Sequence, residues 1–117
     1  MPEDIAPQYK SSSKIPNMII IYVTFSNHDE ARRVCQHLLE KKLIACANFF
    51  PVESMFNVKG KTQKEVEIAA YLKTKNEYWQ EAKKEIEKEH SYSVPCVLKI
   101  DAECSLKYDE WLEEELD

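Results

Sequence analysis

LIACANFFPVESMFNVKGKTQKEVEIAAYLKT, the stretch from Leu43 to Thr74, reads as two long strands around the single glycine of the chain, Gly60. From Val66 to Leu72 the residues alternate, with Val66, Ile68, Ala70 and Leu72 on one face and Glu65, Glu67, Tyr71 and Lys73 on the other. A period of two marks a strand. Upstream, Ile44 to Val58 is rich in β-branched and aromatic residues, and Lys59-Gly60-Lys61-Thr62 supplies a polar turn. At roughly 3.3 Å per residue the first strand of this ribbon runs to about 50 Å. A domain of about 100 residues has a radius of gyration near 13 Å, hence a diameter of only about 35 Å. The ribbon is therefore expected to overhang its own domain. Met55, Phe56 and Val58 near its tip need covering, and an uncovered strand edge invites pairing with another chain. An oligomer is expected.

The flanking segments supply the remaining elements. Met18 to Phe25 carries Ile19, Ile20, Ile21 and Val23, apolar on both faces as a central strand requires. Asn27 with Glu30 three residues on is an N-cap signature, and Ala31, Val34, Cys35, Leu38 and Leu39 then form one helical apolar stripe. After the ribbon, Asn76 starts a second helix with Trp79, Ala82 and Ile86 inside and Glu81, Lys84, Glu85 and Lys88 outside, ending near His90. A fourth strand is expected from Ser93 to Ile100, with Val94, Cys96, Leu98 and Ile100 alternating. Tyr108, Trp111, Leu112 and Leu116 mark a short carboxy-terminal helix. Proline is tolerated in sheets mainly at edges or bulges, so Pro51 and Pro95 assign the second and fourth strands to the edges. This order is an α+β, ferredoxin-like βαββαβ sandwich with a long ribbon between its second and third strands and an extra carboxy-terminal helix. Two helices cover one sheet face. The other face is left to solvent or to a neighbouring subunit.

At 117 residues the chain is long enough for one core but not two. Residues 18–117 are read as a single domain and residues 1–17 as a disordered tail, because Met1 to Asn17 holds Glu3, Asp4, Lys10, Lys14 and a serine run without an apolar centre. The tail does not resemble a secretory signal. The longest apolar run, Met18 to Val23, is far too short to cross a bilayer. Cys35, Cys46, Cys96 and Cys104 show no paired spacing and read as reduced thiols of a cytoplasmic protein. The net charge of −5, from 21 acidic and 16 basic side chains without a basic cluster, argues against a nucleic-acid partner.

A ferredoxin-like fold hosts many functions, so the site residues must decide. A copper chaperone needs two thiolates as Cys-x-x-Cys after the first strand, and Thr24-Phe25-Ser26-Asn27 has none. RNA recognition needs aromatics stacked on the central strands, where this acidic chain offers only Tyr22 and Tyr71. A phosphate-cleaving hydrolase needs a glycine cradle, absent from Ser26-Asn27-His28. No catalytic residue is assigned; Cys46 is the one plausible nucleophile. Metal-ligand types are present in His90, Glu89, Glu65, Glu67, Cys46 and Cys96, and His90 at a helix end is expected near the surface. Glu67 and Lys73 share the open face, Cys46 lies on the strand paired with it, and His90 and Tyr92 enter from the turn after the second helix. Such a cluster either binds a ligand or forms an ion-pair network. His28 and His37 read as surface residues.

Lys42-Leu43-Ile44-Ala45-Cys46-Ala47-Asn48, Pro51-Val52-Glu53-Ser54, Gly60-Lys61, Glu65-Val66-Glu67 and Lys73-Thr74 fall in the order and spacing of a known family. Val23-Thr24, Ala31, His90-Ser91-Tyr92-Ser93-Val94-Pro95, Tyr108 and Trp111 extend the match from Ile19 to Leu112. On these residues the chain resembles the CutA family of divalent-ion tolerance proteins. The resemblance implies a homotrimer whose sheets pack around a threefold axis, with a role in divalent metal ion, notably copper, tolerance and no established catalysis. It implies a subunit-boundary cleft formed by Cys46, Glu67, Lys73, His90 and Tyr92. Copper ligands of relatives map onto Val23, Glu89 and His90, so weak binding of copper or another divalent ion through His90 and Glu89 is expected. The chain departs from the family at Val58-Lys59 (usually tryptophan and an acid), Ser91 (usually proline) and Cys96 (usually glutamate). The alternative is a trimeric sensor of a small anion or nucleotide, since signalling trimers share this fold and ribbon; one glycine in the chain leaves little for a phosphate cradle.

Overall fold

A computed structural model describes residues 18–117; the reading of residues 1–17 as a disordered tail lies outside the described residues. Strand β1 (Met18–Phe25) leads to helix α1 (His28–Glu40), then to the ribbon of β2 (Cys46–Val58) and β3 (Lys61–Lys75). A single 3-10 turn (Asn76–Tyr78) runs into helix α2 (Trp79–Glu89), followed by β4 (Val97–Ala102) and helix α3 (Leu106–Leu116). The sheet is antiparallel in the order β2-β3-β1-β4, so β1 and β3 are central and β2 and β4 are edges. This is the ferredoxin-like arrangement with an added carboxy-terminal helix.

Local chemistry explains the elements. Asn27 caps α1 by accepting a hydrogen bond from the Glu30 N–H at 2.8 Å, as an N-cap side chain does. The ribbon turns at Lys59 and Gly60, whose φ values of 51° and 82° put both residues in the left-handed region that a two-residue hairpin turn demands. Val58 pairs with Lys61 immediately beyond it. The ribbon overhangs the domain as its length requires. The longest axis is 58 Å and the radius of gyration 17.1 Å, against about 13 Å for a compact domain of this size.

The core lies between the helices and one sheet face. Ile19, Ile21, Val23 and Phe25 of β1 and Ile68, Ala70 and Leu72 of β3 pack with Ala31, Val34, Cys35 and Leu38 of α1 and Ala82 and Ile86 of α2. Burial pushes the Cys35 thiol up to about 12, an inert core thiol. Helix α3 is fastened to the end of β3 by a buried ion pair, Lys75 Nζ to Asp109 Oδ1 at 2.6 Å, with Glu113 Oε2 at 3.2 Å. Burial pulls the Lys75 ammonium down, but the two carboxylates outweigh it and hold its pKa above the ordinary value.

Four expectations change. The apolar alternation of β3 includes Val66, yet Val66 is exposed, because the helices cover this face only as far as Ile68. Leu39, placed in the α1 stripe, is also exposed. The fourth strand begins at Val97 instead of Ser93. Pro95 has no N–H to give, and the Thr24 carbonyl beyond the last β1–β4 pair, Val23 with Val97, is taken by His90. The second helix begins at Trp79, after the 3-10 turn, instead of at Asn76.

Lys75→Met removes the ammonium from a carboxylate in the core, and breaking a buried pair from one side costs about 3 to 5 kcal/mol. Urea unfolding of this variant is expected to show a loss of that size. A loss below about 1 kcal/mol, the value of an exposed pair, would contradict the role assigned to it.

Candidate functional site

The open sheet face carries two clusters at opposite ends. Glu67 and Lys73 both point to this face but stand six residues apart on β3, about 20 Å at strand spacing. Within one chain the predicted cleft residues therefore divide into Glu67 with Tyr92 and His90, and Lys73 with Cys46.

The first group is built by the loop after α2. His90, expected near the surface, is instead buried, its ring stacked on Phe25 with centroids 4.9 Å apart and tilted against Tyr92 at 4.7 Å. Its Nε2 donates to the Thr24 carbonyl at 2.8 Å, and its Nδ1 accepts from the Tyr92 N–H at 3.0 Å. Both ring nitrogens are thus engaged, and a metal ion reaching His90 would displace one of these contacts. The next residue is locked as firmly. Glu30, buried, accepts from the Ser91 N–H at 2.6 Å and the Ser91 hydroxyl at 3.0 Å, with the Ser26 hydroxyl at 3.2 Å. Burial raises the Glu30 pKa, but the Ser91 hydrogen bonds, then His90 and Ser26, overcome it and leave the carboxyl below its ordinary range.

Held in this way, Tyr92 points its hydroxyl at Glu67 and donates to Oε2 at 2.7 Å. The two border a cleft of about 420 Å³ whose lining includes Tyr22, Thr24, Ser54, Phe56, Val94 and Cys96. Glu67 is the one charged side chain in that lining. Burial, and then the Glu67 carboxylate, push the Tyr92 phenol well above its ordinary value, and the same two causes raise the Cys96 thiol. Beside Glu67 the cleft therefore offers a phenol and a thiol that both hold their protons more tightly than usual.

At the other end, Cys46 pairs with Lys73 across the ribbon. The Lys73 ammonium lies 6.0 Å from the centre of the Tyr108 ring on α3, within reach of a cation–π attraction. Burial and the neighbouring Cys46 raise the Tyr108 phenol. Val23, onto which the resemblance maps a copper-ligand position, is in the core on the helix side of the sheet.

Glu89 faces away from the cleft, toward α1, where Arg33 Nη1 reaches its Oε1 at 3.2 Å and Nη2 reaches its carbonyl at 3.1 Å. Sequence reading missed the neighbouring pair, His37 Nε2 to Glu85 Oε1 at 2.7 Å. That hydrogen bond is the largest cause of the lowered Glu85 pKa; burial opposes it and Lys41 and Lys88 add to it. His37 and Glu85 each read as outward-facing from local periodicity, because the contact joins two helices far apart in sequence. A histidine and a glutamate in the facing turns of the two helices were the available signal.

The family profile described as "CutA1 divalent ion tolerance protein" matches residues 19–115. The divalent-cation tolerance protein CutA of Archaeoglobus fulgidus is 41% identical over 95 residues, covering 80% of this chain and 93% of that protein. Its namesake from Pyrococcus horikoshii is 38% identical over 99 residues, covering 84% and 97%. The solved structure of the A. fulgidus protein, described as periplasmic, superposes with a TM-score of 0.83 over 86% of this chain and 99% of that one, at 38% identity.

The lowered Glu30 pKa has a definite pH signature. A carboxylate with a depressed folded-state pKa contributes stability above its unfolded pKa and loses it as pH falls through the folded one. Glu30→Gln is expected to cost roughly 1.5 to 3 kcal/mol at pH 7, the worth of hydrogen bonds to a charged group. In urea titrations the gap to wild type should close as pH drops below the ordinary carboxylate range. A gap independent of pH would contradict the assignment.

Proposed function

This chain belongs to the CutA1 divalent ion tolerance family, and on that premise we propose that it acts as a homotrimer binding divalent metal ions, copper among them, in the cytoplasm and without catalysis. The observation that carries the assembly is the composition of the open sheet face. Ile20, Tyr22, Phe50, Tyr71, Leu98 and Ile100 share it by register. In the single chain Leu98 is 50%, Ile100 44% and Tyr71 40% exposed. On β4 the large apolar residues Leu98 and Ile100 turn away from the helices, while Lys99 and Asp101 share the helix side. A contiguous apolar patch of this kind is the mark of an interaction surface, and the overhanging ribbon supplies a second one.

In a trimer the two half-clusters can meet across a boundary, with Glu67 and Tyr92 of one subunit opposite Lys73 and Cys46 of the next. This is the proposed inter-subunit cleft. Ion binding follows from the family, and weak copper binding at Glu89 and His90 remains the proposal from sequence; the engaged ring nitrogens of His90 support its weakness. Cytoplasmic placement is supported by the four free cysteines. Relatives are named for tolerance and not for a reaction, which supports the reading without catalysis. For the small-anion sensor, a cleft lined in one chain by a lone carboxylate is poor support.

Light scattering coupled to size exclusion at micromolar concentration is expected to give three times the chain mass of 13.7 kDa. Replacing both Leu98 and Ile100 by glutamate should shift it to smaller species. A wild-type monomer or dimer would contradict the trimer.

A further inference from the structure

Outside the cleft, one group of side chains converges from two elements with metal-ligand chemistry. Glu85 and Glu89 are one turn apart on α2 and so lie on the same helix face. His37, in the last turn of α1, reaches across to them. One ligand atom from each of the three lies within 4.8 Å of the other two, and all three residues are half-buried. The geometry points to a divalent-cation site at His37, Glu85 and Glu89, between the two helices on the outer layer of the domain. This rests on the divalent-ion reading of the family and names a location for it that uses neither the cleft nor His90.

The donor set defines the ion class. One imidazole nitrogen and two carboxylate oxygens suit borderline divalent ions such as Zn²⁺, Cu²⁺ and Ni²⁺; with no thiolate the set does not select Cu(I). Bond lengths near 2.0 to 2.2 Å place ligand atoms around a four-coordinate ion about 3.3 Å apart. The His37 Nε2 to Glu85 Oε1 distance of 2.7 Å is a hydrogen bond. The ion would replace the proton between them, pushing these two atoms slightly apart and drawing Glu89 inward by a side-chain rotation. Half-burial leaves a position open for water, which suits an exchangeable ion more than a structural one.

Basic groups already present set the cost. Arg33 is paired with Glu89 at 3.2 Å and Lys41 with Glu85 at 3.5 Å. A bound ion takes Glu89 Oε1 from Arg33, which keeps the Glu89 carbonyl at 3.1 Å. Lys41 interacts through the other oxygen, Oε2. The site therefore exchanges one weak surface contact for coordination without stranding either cation, and the two nearby charges disfavour ions that lack affinity for imidazole.

The test is calorimetric titration of Cu²⁺ and Zn²⁺ into the full-length protein freed of metal, with paramagnetic resonance of the Cu²⁺ form. One ion per chain and nitrogen coupling in the Cu²⁺ spectrum are expected. His37→Ala and Glu85→Gln should each weaken binding about tenfold or more, His37→Ala abolishing the coupling, while Glu67→Gln leaves binding unchanged. Glu85→Gln preserves shape and a hydrogen bond to His37, so an unchanged melting temperature separates lost ligation from lost fold. Unchanged affinity in both site variants would show that His37 and Glu85 form a helix clamp only. Loss of binding in Glu67→Gln instead would overturn this site and leave divalent-ion binding standing. Failure of the wild type to bind either ion would overturn both.

Discussion

A four-stranded sheet has two faces, and the helices α1 and α2 cover only one of them. That imbalance governs the molecule. The residues of β1 alternate in direction but not in character: Ile19, Ile21, Val23 and Phe25 enter the core, while Ile20 and Tyr22 point the opposite way. Neighbours on β2, β3 and β4 add Phe50, Tyr71, Leu98 and Ile100 to this second apolar surface. At about 25 cal/mol per Å², leaving such a surface in water forfeits stability that a second layer would recover. In the proposed trimer the second layer is another copy of the same sheet.

The same constraint organises the sites. The loop after α2 is held by groups the chain cannot leave unpaired once buried: the Thr24 carbonyl by His90, and the Ser91 N–H by Glu30. These contacts stop β4 at Val97 and press Tyr92 against Glu67, forming a wall of the cleft on the open face. His90 is a positioning residue for that wall. On the opposite side of the sheet, His37, Glu85 and Glu89 stand clear of any surface needed for assembly through the open face. An ion held by these three residues and assembly through the open face would draw on different faces of the sheet, so the two proposals can be tested separately.

Much of this was legible in the sequence because it depends on local chemistry. The alternation through β3, the cap at Asn27, the turn at Gly60, and the edge assignment of the second and fourth strands follow from residue type and spacing. Contacts made at long range were not legible. Nothing near His90 announces that its ring will lie against Phe25 and bond the Thr24 carbonyl, residues more than sixty positions earlier. His37 likewise meets Glu85 only after both helices have docked. Glu67 and Lys73 share a face, as the alternation of β3 indicates, but strand geometry separates them along it within one chain. Val66 was legible as apolar and misread as covered, since periodicity gives the face of a residue and not the reach of the helices above it.

The most direct measurement of the central claim is oxidative footprinting of the aromatic side chains on the open face at working concentration, with Trp111 as an internal comparison. Tyr71, 40% exposed in the single chain, is close to Trp111 at 39%. If the open face is buried between subunits, Tyr71 should be strongly protected together with Tyr22 and Phe50, and the Leu98→Glu, Ile100→Glu variant should restore its labelling. Labelling of Tyr71 in the wild type at the level expected from single-chain exposure would contradict the account.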